Sequence, residues 1–292
     1  MHALPSLLAL LTAAALAPPL LRLLRDGGHT RPNYRGRPLP FPLGVLIPAA
    51  AVLALVPLTL IARLAPAALF HPEIVPILVY ALGVALLGLI DDTLGADQGS
   101  RRSAVPAVPA GPGRPATRGW RGHGSAIVRG EFSTGALKAA GSLGLALLAM
   151  DQLGLSDARW LLAAGVLVLA TNAFNLLDLR PGRSPKAFVL LGAALTIGAG
   201  VRPLWALGLL AAPALVAGAY DLRERAMLGD TGSNLLGALA GLWLVLTLSG
   251  TGQLIALGLL AAITVYGELR SISGLIERTP GLRELDSWGR PS

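Results

Sequence analysis

Asp91 and Asp92 stand side by side at the end of an apolar run that begins at Ala81. Carboxylates beside lipid are costly, so an adjacent pair is expected where a divalent cation or a proton must be held. Other polar types are scarce in this chain, and their positions narrow the chemistry. Among 24 basic residues there are two lysines, Lys138 and Lys186, and there are four asparagines, Asn33, Asn172, Asn175 and Asn234. A lysine ammonium is a compact point charge suited to a phosphate. Asn172, Asn175 and Asp178 recur every three residues, so one helix can present all three on one face. In Leu228-Gly-Asp230-Thr-Gly-Ser233-Asn234, the glycines beside Asp230 allow close approach of backbone to a ligand. Asp230 and Ser233 equally suit an N-cap, and a helix N-terminus facing a phosphate is a second use of the same geometry.

Four carboxylates (Asp91, Asp92, Asp178 and Asp230) and Lys138 are thus expected on one face. The chain has no cysteine, which excludes thiolate metal sites, disulfides and a Cys nucleophile. Oxygen ligands suit a hard cation, Mg2+ or Mn2+. Mg2+ pairs one or two carboxylates with substrate phosphates, and phosphoryl transfer needs that charge neutralisation. The residues therefore point to a membrane-embedded, metal-dependent phosphate enzyme, without naming its substrate.

The elements that must position these groups are apolar. The 292 residues are 53% hydrophobic and 14% charged, against about 25% charged in soluble domains. The apolar residues come in blocks, so the expected fold is all-α: a polytopic membrane helix bundle of about nine to ten transmembrane helices. The blocks are Leu4–Leu21, Phe41–Ala62, Ile74–Ile90, Gly135–Met150, Trp160–Leu177, Ala187–Gly200, Leu204–Tyr220, Ser233–Leu248 and Leu254–Leu269. Leu4–Leu21 lacks a preceding basic region and reads as a retained first span with the N-terminus outside.

With nine spans, every Lys and Arg except Arg63, Arg159 and Arg202 falls on the inside, as the positive-inside rule requires. The carboxylates then face the cytoplasm from the plasma (cell inner) membrane. The net charge of +8 reads as membrane-facing loops and not as nucleic-acid binding. The chain reads as a single membrane domain, residues 1–292. Its Pro-, Gly- and Arg-rich loop 96–125 is expected to be disordered. The cytoplasmic C-terminal tail 271–292 is expected to be amphipathic and interfacial. The short loop with Asp221, Arg223, Glu224 and Arg225 is expected to pair within itself.

Five motifs, in order, carry a family resemblance. They are Asn33-Tyr-Arg-Gly-Arg-Pro-Leu-Pro-Phe-Pro-Leu-Gly44; Gly88-Leu-Ile-Asp-Asp92 with Gly95; Trp120-Arg-Gly-His-Gly124 with Ser133-Thr-Gly-Ala-Leu-Lys138; Asn172 to Asp178; and Met227-Leu-Gly-Asp-Thr-Gly-Ser233. The chain resembles the polyprenyl-phosphate N-acetylhexosamine-1-phosphate transferases, the membrane enzymes of glycosyltransferase family 4, over most of its length. The resemblance implies transfer of a sugar-1-phosphate from a UDP-sugar to a polyprenyl phosphate, giving a diphosphate-linked lipid and UMP in cell-envelope glycan synthesis. It also implies Mg2+ (or Mn2+) held by Asp230 with Asp92, catalytic roles for Asp91, Asp92 and Lys138, and a nucleotide side at Asn172, Asn175 and Asp178. Many relatives are homodimers. How Asp91 and Asp92 divide the work stays open.

Two departures stand out. The family commonly continues past its Asn-x-x-Asn-x-x-Asp motif with a second acidic residue, whereas Asp178 is followed here by Leu-Arg-Pro-Gly-Arg-Ser184. Arg180 and Arg183 can instead bind a diphosphate. The His-rich loop of the better-known branches is also absent. The alternatives are a divergent member that binds polyprenyl phosphate or nucleotide sugar without turnover, and a transporter. Transporter carboxylates belong near the bilayer midplane, whereas these sit at one face.

Overall fold

The computed structural model describes residues 1–64, 68–95 and 134–291. The loop expected to be disordered, 96–125, and the Trp120–Gly124 motif lie outside the described residues. Each of the nine apolar blocks forms a helix. The helices are α1 (Leu4–Asp26), α2 (Leu46–Leu64), α3 (Ile74–Ile90), α4 (Thr134–Asp151), α5 (Asp157–Leu177), α6 (Arg183–Ala199), α7 (Arg202–Leu222), α8 (Gly229–Thr247) and α9 (Gly250–Leu269). Two short helices follow, α10 (Ile272–Arg278) and α11 (Leu282–Ser287). The molecule is an all-α helical bundle. Six segments, built on α1, α2, α3, α5, α7 and α9, are long and apolar enough to cross a membrane. The remaining three long helices are shorter or more polar.

Burial divides the helices into a lining and a pillar. On α9 the side chains of Leu254, Ile255, Leu259, Ile263 and Val265 are exposed. An exposed apolar helix face with its backbone satisfied internally is what a lipid environment selects. In α8, by contrast, 16 of 19 residues are buried, so it stands inside the bundle, against α3, α5 and α6. Its Gly237 is what admits α5: a Cβ there would lie 2.6 Å from the Thr171 Cα.

One element was not expected. Thr30–Pro32 (β1) and Pro38–Pro40 (β2) form a small antiparallel hairpin in the first loop. Asn33 closes its turn, its side-chain oxygen accepting the amides of Arg35 and Arg37. The strand exit then runs beside the approach to α8. Met227 N–H donates to Pro40 O, while Leu43 and Gly44 donate to Met227 O and Leu228 O. This main-chain pairing fixes where α8 begins.

Candidate active site

The helix carrying the aspartate pair does not simply end. After Ile90, residues Asp91–Gly95 continue as one π-helical turn, a local widening frequent at functional sites. It turns the two neighbouring carboxylates in different directions.

Asp92 faces inward. Its Oδ1 accepts the Asp230 amide at 2.9 Å, and its Oδ2 accepts the Thr231 amide at 2.8 Å and the Thr231 hydroxyl at 2.6 Å. These are the unpaired donors of the first turn of α8, so Asp92 caps that helix from a neighbouring one. No side chain of α8's own N-cap, Leu228, does so. The approach is close because two glycines leave room. A Cβ on Gly88 would lie 2.5 Å from the Asp230 carbonyl oxygen, and one on Gly229 2.6 Å from Asp92 Oδ2. Gly229 also has φ of 72°, which a side chain would strain. From the far side Arg31 donates to the Asp92 carbonyl at 2.5 Å and stacks over Phe41.

Asp91 faces Lys138. Lys138, in the first turns of α4, places its ammonium 3.0 Å from Asp91 Oδ2 and 2.5 Å from Asp230 Oδ2. The two carboxyls also touch one another. All three side chains remain partly open, 22% for Lys138 and Asp91 and 32% for Asp230, whereas Asp92 is 6% exposed. The expected pairing of Asp230 with Asp92 as ligands is therefore not the geometry found. Both Asp92 oxygens are taken by α8, and Asp91 is the carboxylate beside Asp230.

The nucleotide-side residues divide. Asn175 points to α8, its amide 3.4 Å from Ser233 Oγ, while Asn172 reaches α9 and donates to Thr264 Oγ1 at 3.2 Å. Asp178 lies just past the end of α5. Loss of water, then the charges of Asp221, Asp230 and Asp92, push its carboxyl well above the ordinary value. Asp178 thus feels the cluster through space.

Arg180 and Arg183 are engaged by the C-terminal tail. Arg183 is buried; its guanidinium meets both carboxylate oxygens of Asp286 at 2.7 and 3.0 Å and Ser273 Oγ at 2.6 Å. Arg180 pairs with Glu277 at 3.0 Å and lies over the Tyr34 ring. Lys186 donates to the carbonyls of Leu285 and Asp286. Arg290 bonds Pro181 O and the Asp286 carboxylate. The tail expected at a lipid interface is thus fastened to the protein, over the loop that follows Asp178.

The loop at Asp221 departs from expectation in the same way. Asp221 accepts the amides of Gly182 and Leu228, and Glu224 accepts from Asn33 and Tyr34. They join different loops to one another. Only the order of the chain hid this: no local pattern marks a partner 190 residues away.

The fit of a hard cation follows from the donors. Among the described residues no three Asp, Glu, His or Cys side chains form a metal cage. Asp91 and Asp230 offer two adjacent carboxylates with a cation, the Lys138 ammonium, already between them. Two carboxylates completed by waters and substrate phosphates are what Mg2+ takes. The fold and the site together define a helical membrane protein with a carboxylate–lysine cluster at one end of its bundle. No protein-family model matches the chain, and no curated protein matches it.

Proposed function

We propose that this protein is a Mg2+-dependent membrane phosphoglycosyltransferase. It moves a sugar-1-phosphate, N-acetylhexosamine-1-phosphate, from a UDP-sugar to a polyprenyl phosphate in cell-envelope glycan synthesis. A polyprenyl-phosphate oxygen attacks the sugar-bearing phosphorus; the bond from that phosphorus to the bridging oxygen breaks, and UMP leaves. The supporting observation is the Lys138 ammonium seated between Asp91 and Asp230, in a chain whose ordered motifs resemble that family.

Each residue then has a task. Lys138 balances the diphosphate charge that develops toward UMP. The attacking phosphate monoester is largely dianionic near neutral pH, so its oxygen attacks without giving a proton to Asp91. Asp91 and Asp230 would hold Mg2+, which when bound neutralises the phosphate oxygens. Asp92 acts indirectly: it fixes the first turn of α8 and so the place of Asp230. Asn175 and Asp178 border the nucleotide side. The bundle crosses the plasma membrane nine times with this face toward the cytoplasm, a reading supported by the distribution of Lys and Arg.

The test is a donor panel. Full-length protein in detergent, given Mg2+, undecaprenyl phosphate and labelled UDP-HexNAc donors, should release UMP and form a labelled lipid, and chelation should stop both. No lipid product and no UMP with any donor would sink the proposal. A second reading is favoured by one observation: Arg180 and Arg183 are engaged by Glu277 and Asp286 of the tail. That reading is a relative that binds polyprenyl phosphate or nucleotide sugar without turnover, and saturable binding with no UMP release would establish it.

A further inference from the structure

The segment after Asp178 carries three cations at three-residue spacing, Arg180, Arg183 and Lys186, and the C-terminal tail answers all of them. Glu277 takes Arg180, Asp286 takes Arg183 through both carboxylate oxygens, and Lys186 donates to the carbonyls of Leu285 and Asp286. Among the described residues, every hydrogen bond of the Arg183 guanidinium ends on the tail, at Asp286 or Ser273. A planar guanidinium that grips a carboxylate through two N–H groups grips a phosphate in the same way. The Asp286 carboxylate therefore holds a place that a phosphate can take.

The tail is held in a way that inverts ordinary helix docking. From Pro280 to Gly289, Asp286 is the only residue that is not exposed. Leu282, Leu285 and Trp288 are all exposed, and α11 buries no residue. A docked helix normally buries its apolar stripe and leaves its charges in water. Here α11 is attached by a carboxylate, as a ligand is, and lifting it uncovers little apolar surface. The site beneath is built without the tail. The Gly182 amide donates to the buried Asp221 carboxylate at 2.7 Å, and the fully buried Ser184 hydroxyl donates to the Phe174 carbonyl at 2.6 Å. These bonds fix the turn that carries Arg180 and Arg183 from the bundle side.

We propose that the C-terminal tail is an autoinhibitory strap. Glu277 and Asp286 occupy the cationic site that receives the diphosphate of the nucleotide-sugar donor, and the donor binds when the tail lifts. The identity of the diphosphate rests on the transferase reading; the competition rests on the contacts. Arg183 cannot pair with Asp286 and with a phosphate through the same two N–H groups, so the docked tail and the bound donor exclude one another. The docked tail lowers donor affinity by the fraction of time that the site stands open. With the site open about one-tenth of the time, the affinity is about tenfold below that of the bare site.

The experiment measures UDP binding to the full-length protein in detergent with Mg2+, beside UMP release from labelled UDP-HexNAc donors. Asp286→Ala should bind UDP about tenfold more tightly than wild type. Glu277→Gln, on an exposed side chain, should gain about threefold, the worth of one exposed ion pair. Adding Arg183→Gln to Asp286→Ala should cancel the gain, which a general loosening of the bundle does not predict. A fluorophore on Trp288→Cys should leave its docked position as UDP is added, and stay when potassium chloride is raised to the same ionic strength. An Asp286→Ala protein that binds UDP no more tightly than wild type, or a fluorophore that UDP does not move, overturns the strap. Strap and transferase fail separately. UMP released at the same rate by wild type and Asp286→Ala keeps the transferase and sinks the strap. A tail displaced by UDP, with no UMP from either protein, keeps the strap and sinks the transferase.

Discussion

Changing Asp91 and Asp92 one at a time should separate two roles that their adjacency conceals. Asp92→Asn keeps the shape but removes the charge that receives three donors from α8. A loss of about 1–3 kcal/mol is expected, visible as a lowered unfolding temperature in detergent. Asp91→Asn and Asp230→Asn should leave that temperature near wild type and abolish turnover in the donor assay. Asn234 makes a further case. It is 1% exposed and neither amide atom has a hydrogen-bond partner, so Asn234→Leu should raise the unfolding temperature, the removed penalty being about 1–3 kcal/mol. At this scale the sequence was legible in part. Rarity picked out Lys138 and the asparagines, and a place at the end of an apolar run picked out the aspartate pair, but nothing local said that a π-helical turn would aim Asp91 and Asp92 apart.

The C-terminal tail is where an element changes the reading of residues. Arg180 and Arg183 look like anion ligands as long as only their own loop is considered. The partners that claim them, Glu277 and Asp286, lie about a hundred positions further on. Burial raises the Asp286 carboxyl, but hydrogen bonds from Arg183 and Arg290, with their charges, outweigh it and hold the group below its ordinary value. A depressed folded value means that the docking contribution is complete above the ordinary carboxylate range, about 4. It is lost as pH falls through the folded value. The chain has no cysteine, so Trp288→Cys supplies a clean reporter of tail position. Its fluorophore should report a docked tail at pH 6 and release only well below pH 4. Asp286→Ala should release it at pH 6. Helix positions, by contrast, followed from the apolar blocks, because nine long runs have few other ways to satisfy their backbone.

Across the whole molecule, charge distribution makes the firmest claim beyond the described contacts. Arg63, Arg159 and Arg202 stand apart from the other basic residues in the nine-span reading. Single cysteines at Arg159 and at Arg278, labelled in intact cells with a membrane-impermeant reagent, should differ: Arg159→Cys reacts, and Arg278→Cys reacts only after lysis. The reverse pattern would invert the bundle. Architecture was legible because lipid constrains composition so strongly. The docking of loops was not, since Asp221, Glu224 and Asn33 meet through tertiary contacts alone.

The cap that Asp92 gives to α8 has a consequence for how the chain is made. The aspartates emerge with α3, but Lys138 follows 47 residues after Asp91, and the α8 donors come 138 and 139 residues after Asp92. The partner of Asp91 is thus made well before the helix terminus that surrounds Asp92. The cap on α8, and with it the place of Asp230 beside Asp91 and Lys138, therefore cannot exist in a nascent chain that stops short of Thr231.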